Sequence, residues 1–174
     1  MNFSSTLIEE AVTQLAKLPG IGKKTALRLA LHLLKQDVTV VDKFSDAIRT
    51  MRRQIQFCAR CHNVSDNVLC KICSSPERQK GIICVVESIR DVIAIESTHQ
   101  HHGTYHVLGG IISPLDGIGP DAIHIDSLIH RVEEEKITEI IMALSPTLEG
   151  DTTTYYISKK LADKSVKITT LSRG

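Results

Sequence analysis

The chain has 174 residues, 42% of them hydrophobic, and a net charge of only +1. That length allows a sizeable core, or two or three small units around one. The longest apolar runs, such as Ile82-Ile83-Cys84-Val85-Val86, are five residues, far short of the ~20 a membrane span needs. Aromatic residues are scarce and Trp is absent. Any nucleic-acid contact is therefore expected to run through phosphates rather than through stacked rings.

The small net charge hides an asymmetry. Residues 1–57 carry nine Lys/Arg against five Asp/Glu, residues 58–80 four against two, and residues 81–174 eight against thirteen. A basic front and an acidic back are expected if the front touches phosphate and the back gathers carboxylates.

In chain order, Thr6-x-x-Glu9 reads as a capping box opening a helix in which Leu7, Ala11, Leu15 and Leu18 recur at helical spacing. Pro19-Gly20 ends it. Gly20 and Gly22 permit a tight turn, and the next helix, over about Lys23 to Leu34, begins with unpaired backbone N–H groups and the positive end of its dipole. That geometry binds phosphate, with Lys23 at the helix start and Lys24 and Arg28, four apart, on one face. Pro-Gly-Ile-Gly between two helices resembles the helix-hairpin-helix element of DNA-binding proteins, against the alternative of an ordinary turn with solvated lysines. His32 reads as structural. A third helix, over about Val41 to Phe57, carries Val41, Phe44, Ile48, Met51 and Ile55 in a narrow stripe that either packs on the first two helices or pairs with a second subunit.

Cys58, Cys61, Cys70 and Cys73 form two Cys-x-x-Cys pairs, a spacing that presents four thiolates to one tetrahedral Zn²⁺. Two disulfides are the alternative. The start, Met1-Asn2-Phe3-Ser4-Ser5, has no basic region followed by an apolar stretch, so no secretory signal is expected, and a reducing cytosol favours metal. Four thiolates leave no open coordination position, so the zinc is structural. The knuckle reads as a joint between the basic front and the acidic back. His62 within it is a spare ligand at most.

From Gly81 onward strands and helices alternate. Gly81 to Glu87 reads as a buried parallel strand, Ser88 to Glu96 as a helix and Tyr105 to Leu108 as a short strand. A Gly/Pro loop over Gly109 to Asp121 leads to a helix over about Ile123 to Glu135. A strand over Ile137 to Leu144, a helix over Thr152 to Ala162 and a strand over Val166 to Thr169 complete the pattern. This alternation implies a parallel sheet covered by helices. At the carboxyl edge of such a sheet, Glu87, Asp91, Glu149 and Asp151 are either a Mg²⁺ site or N-caps and solvated loop residues. Cys84 reads as a core thiol. His99, His101 and His102 read as a surface loop, and His106, His124 and His130 carry no signal.

Together, Pro19-Gly20-Ile21-Gly22 with Lys24 and Arg28, the four cysteines, the run from Val107-Leu108-Gly109-Gly110 to Gly117-Ile118-Gly119-Pro120, and Ser145-Pro146-Thr147-Leu148-Glu149-Gly150-Asp151 closely resemble the bacterial recombination mediator family RecR. The resemblance implies a multidomain α and α/β fold: a helix-hairpin-helix domain over 1–56, a four-cysteine zinc finger over 57–80, and a Toprim domain over 81–174. The last is Rossmann-like, with a parallel sheet and helices on both faces. It implies a non-catalytic, cytoplasmic, nucleoid-associated protein that forms a ring-like homo-oligomer on DNA and acts with RecO and RecF to help load RecA at single-strand gaps. Among the expected DNA contacts Gly20, Gly22, Lys23, Lys24 and Arg28, the resemblance matches Lys24 and Arg28 to the family's DNA-contact positions, and it assigns RecO contacts to Glu87, Asp91, Glu149 and Asp151. Mg²⁺ at Glu87, Glu149 and Asp151 is not expected to support catalysis. A Mg²⁺-dependent Toprim nuclease or primase is the alternative. The family is also expected to continue past Leu171-Ser172-Arg173-Gly174 with a Gly-rich segment and a helix that contributes to subunit contacts.

Overall fold

The computed structural model describes residues 3–172 and divides the chain into two compact units, one ending at Gln54 and one starting at Ile55. The first is helical: α1 (Thr6–Leu15), α2 (Lys23–Leu34) and α3 (Val38–Gln54). Val12 and Ala26 are buried where α1 packs on α2. The expected capping box at Thr6 is not formed. Ser5 holds the N-cap position and makes no side-chain cap bond, so Thr6 is already helical. The helix also stops at Leu15, short of Leu18, because the amides of Lys17 and Leu18 reach back only three residues, to the carbonyls of Gln14 and Leu15.

The Leu18 carbonyl then accepts from the Ile21 amide at 3.0 Å, with Pro19 and Gly20 between them and Gly20 at φ 76°. Proline at the second position and a left-handed glycine at the third define a type II turn. Gly20 is thus required, and Pro19 favoured, by backbone geometry as well as by any ligand.

In the second unit, β1 (Gln56–Phe57) pairs antiparallel with β2 (Val64–Ser65), and the short α4 (Lys71–Ser74) closes the knuckle. The third helix, expected to reach Phe57, ends at Gln54 because Gln56 and Phe57 are taken into this ribbon. The remaining elements are β3 (Gln79–Val86), α5 (Ile89–Ser97), β4 (Gly103–Val107), α6 (Ile125–Glu134), β5 (Glu139–Ala143), α7 (Leu148–Lys160) and β6 (Lys167–Thr170). The four long strands form one parallel sheet in the order β4-β3-β5-β6.

Alternation along β3 explains its unbroken apolar sequence. Ile83 and Val85 join Leu128, Ile140, Met142, Ile157 and Leu161 under α6 and α7, whereas Cys84 and Val86 join Val92, Tyr105 and Val107 under α5. A strand buried on both faces has no solvent side to mark with polar residues. Cys84 is 2% exposed, and burial pushes its thiol up to about 12, as befits a core residue.

The chain leaves β3 for β4 on one side and returns past it to β5 on the other. This reversal places a crevice at the carboxyl ends of β3 and β5.

Candidate metal centre and nucleic-acid interface

Cys58, Cys61, Cys70 and Cys73 are all buried, unbridged, and bring their sulfurs within 4.8 Å of one another. The Cys61 and Cys70 sulfurs are 3.6 Å apart. A disulfide would hold them at about 2 Å, whereas the edge of a tetrahedron with Zn–S bonds of about 2.3 Å is about 3.8 Å. Backbone amides also point at the sulfurs: Cys70 N–H lies 3.3 Å from Cys58 Sγ and Cys73 N–H 3.5 Å from Cys70 Sγ. Hydrogen bonds from the Cys61 and Cys73 thiols hold the Cys70 thiol far below its ordinary range, while the bond to Cys70 pushes Cys61 up. The donor set fits a structural zinc. Cys58, Cys61, Cys70 and Cys73 would hold it, and the ion when bound supplies the cross-link that this short ribbon lacks.

The knuckle is fastened to the sheet rather than standing apart from it. The Val107 amide of edge strand β4 donates to the Cys61 carbonyl at 2.9 Å. Arg60 donates twice to Glu135, each bond 2.7 Å, and Glu135 in turn accepts from Arg131 at 3.3 Å. Arg131, only 4% exposed, also donates to the Tyr105 carbonyl at 2.7 Å and the Thr104 hydroxyl at 2.8 Å. Burial pushes the Glu135 carboxyl up, but the Arg60 hydrogen bonds and the charges of both arginines outweigh it and hold the group below its usual range.

His62, which takes a left-handed φ of 60°, stacks on His124 with ring centroids 3.8 Å apart and contacts Ser127 through Nε2 at 2.9 Å. It therefore does not substitute for a thiolate. His106, fully buried, approaches His62 edge-on, and its Nε2–H donates to the His124 carbonyl at 2.7 Å. Burial keeps this imidazole neutral, its pKa pushed down to about 3. None of these joints is visible in the sequence, because Arg60 and Glu135 lie 75 residues apart and no spacing rule connects them. Similarly, His101 is not a simple loop residue: its ring packs edge-on to Tyr105.

At the crevice, Glu87 follows β3 and accepts from the Ser145 hydroxyl at 2.8 Å. Asp91 is drawn into a capping box, accepting from the Ser88 amide at 2.7 Å and the Ser88 hydroxyl at 3.0 Å. Glu149 and Asp151, expected in a loop, lie in the first turn of α7, because Thr147 caps that helix four residues earlier than expected by accepting from the Gly150 amide. Gly150 is required there: a Cβ would collide with the Ser145 carbonyl. Among the described residues, the only group of three or more His, Cys, Asp or Glu gathered tightly enough for a metal is the four cysteines. The carboxylates share a sheet edge without being gathered into such a group.

In the helical unit, α2 starts at Gly22, which offers no side-chain cap, and its first turn has no acidic residue. Lys23, Lys24 and Arg28 are exposed. His32, expected to be structural, is exposed too, and it lines one open trough with Lys24, Leu27, Arg28, Leu31 and Lys35. Its place four residues after Arg28 is the signal that would have found it.

A helical hairpin of this kind, a four-thiol knuckle and a small parallel sheet with acidic loops define a helix-hairpin-helix, zinc-finger and Toprim protein. Residues 8–52 match the model described as RecR, helix-hairpin-helix; residues 55–75 match that of the RecR four-cysteine zinc finger domain; and residues 81–172 match the Toprim domain. Over 172 residues the chain is 54% identical to the recombination protein RecR of Phocaeicola vulgatus, covering 99% of this chain and 84% of that one. It is 55% identical over 174 residues to the namesake from Amoebophilus asiaticus, covering 100% and 87%. The chain belongs to the RecR family. Among the described residues no helix is long and apolar enough to cross a membrane.

Proposed function

We propose that this chain is a DNA-binding mediator of recombinational repair, cytoplasmic and nucleoid-associated. It assembles into a ring-like clamp and acts with RecO and RecF to help RecA displace single-strand-binding protein at gaps, without catalysing a reaction itself. The observation that carries this reading is the start of α2: an uncapped helix terminus behind the Pro19-Gly20 turn, flanked by exposed Lys23, Lys24 and Arg28 and by no carboxylate in its first turn. The free amides and the positive helix end attract a phosphate. The side chains neutralise its neighbours, and Gly20 and Gly22 let the backbone approach.

The third helix supports assembly. It buries no residue within the chain, leaving Phe44 48%, Ile48 49% and Met51 56% exposed along one stripe, a surface that water disfavours and a second copy would cover. The acidic sheet edge, with Glu87, Asp91, Glu149 and Asp151, is the face offered to a basic partner, RecO. Two of these carboxylates already serve local hydrogen bonds, which favours a docking surface over a nuclease or primase centre.

Sedimentation of the full chain is expected to give a multiple of the single-chain mass, larger with DNA, and Ile48→Asp is expected to shift it toward one chain. A protein that binds DNA yet stays monomeric at every concentration would remove the clamp from this reading.

A further inference from the structure

The outer face of α2 carries more than the residues at its start. Lys24, Leu27, Arg28, Leu31, His32 and Lys35 fall at steps of three and four, so they share one face of the helix. They line a single open trough of about 430 Å³. Ala26, Leu29, Ala30 and Leu33 occupy the opposite face, and Ala26 is fully buried on the side that packs against α1. The trough therefore faces away from the core of its own unit. Its composition is mixed in a regular way: cationic or imidazole groups at 24, 28, 32 and 35, with leucines at 27 and 31 between them. From Lys24 to Lys35 it extends about 16 Å along the axis at about 1.5 Å per residue.

We propose that this trough takes one DNA strand along α2, with phosphates on Lys24, Arg28, His32 and Lys35, and bases or sugars laid against Leu27 and Leu31. The proposal rests on the DNA-binding reading of the α2 start and specifies which form of DNA that site prefers. Charge complementarity selects a phosphate polymer. The leucines select the single strand: a duplex keeps its bases stacked inside and shows a helix on its backbone only phosphate and sugar, whereas a single strand turns base faces outward. Proteins that hold single strands usually provide aromatic platforms for those faces. The helical unit's aromatics are only Phe3 and Phe44, so aliphatic side chains between cations are the platform available on this face. Such contacts are sequence-tolerant.

The test uses the full chain and fluorescein-labelled oligonucleotides, single-stranded and duplex, titrated by anisotropy across a salt series. Leu31, 41% exposed, is changed to Ser, and exposed Lys35 to Ala, neither of which disturbs the core. Leu31→Ser is expected to weaken single-strand binding about fivefold with little change on duplex and no change in salt slope. Lys35→Ala is expected to reduce the single-strand slope by about 0.7, the loss of one phosphate contact. Equal losses on both DNA forms for Leu31→Ser, or an unaltered slope for Lys35→Ala, would overturn the trough. The Lys24→Ala/Arg28→Ala protein separates the two levels. If it loses affinity while the Leu31 and Lys35 variants do not, only the trough fails; if it too binds as the parent does, the DNA-binding reading fails with it.

Discussion

Replacing Cys70 with Ser is expected to unfold the ribbon from Gln56 to Ser74 while leaving most of the sheet intact. Cys70 is the hub of the knuckle. Its sulfur lies 3.6 Å from that of Cys61 and accepts from the Cys73 amide, and its own amide donates to Cys58 Sγ. A structural zinc supplies roughly 10–16 kcal/mol to small finger peptides, and a hydroxyl does not replace a thiolate in that shell. No large apolar core exists to compensate, since the cluster buried there consists of the four cysteines with Ile72 packed against it. The loss propagates only as far as the knuckle is fastened. The Val107 amide loses its Cys61 acceptor, so β4 should exchange faster, while β3 and β5, paired in register from Ile82–Glu139 to Val86–Ala143, keep their protection. Hydrogen exchange with a zinc assay checks this. A variant that retains one zinc per chain and parent-like protection over residues 56–74 would contradict it.

Arg131→Met is the second large effect, expected to destabilise the Ile55-to-C-terminal unit by about 2–6 kcal/mol, at about 1–3 kcal/mol for each of two buried polar groups left without its donor. Methionine is close in length and packs well, so the loss is electrostatic. The Tyr105 carbonyl and the Thr104 hydroxyl lose their donor inside the core. Glu135 keeps Arg60, so the knuckle remains attached by one arm of the bridge. Denaturant melts of parent and variant, both zinc-loaded, measure the difference, and a change within about 0.5 kcal/mol, the range of an ordinary surface substitution, would show that Arg131 is merely solvated or screened.

Much of this architecture is legible in the residues themselves. The five-residue run in β3 announces a strand buried on both faces, and the alternation after it announces a parallel sheet. The two Cys-x-x-Cys pairs announce the metal centre. The Pro19-Gly20 turn is legible because a type II turn needs a glycine-like third position and favours proline at the second. What is not legible depends on contacts between distant segments. Pattern alone puts the start of α7 too late, because a glycine early in a helix argues against helix. Gly150 is there because α7 lies against the Ser145 carbonyl, a constraint only the fold reveals. Asp91 looks like a metal ligand and serves as a cap, a distinction that spacing cannot make. The Arg60-Glu135-Arg131 bridge and the His62, His106 and His124 contacts join the knuckle to the sheet, so the expected joint is part of the sheet's own unit. The basic face of α2 also includes His32, which sits on the exposed side between Arg28 and Lys35.

In the proposed reading, DNA is held by the start of α2. The most direct measurement is the salt dependence of DNA affinity for the parent chain and for Lys24→Ala/Arg28→Ala. Two fewer phosphate contacts on duplex DNA should lower the slope of log K against log salt by about 1.8, at roughly 0.9 per phosphate, with a matching drop in affinity at low salt. An unchanged slope and affinity would place the DNA-binding surface elsewhere on the molecule.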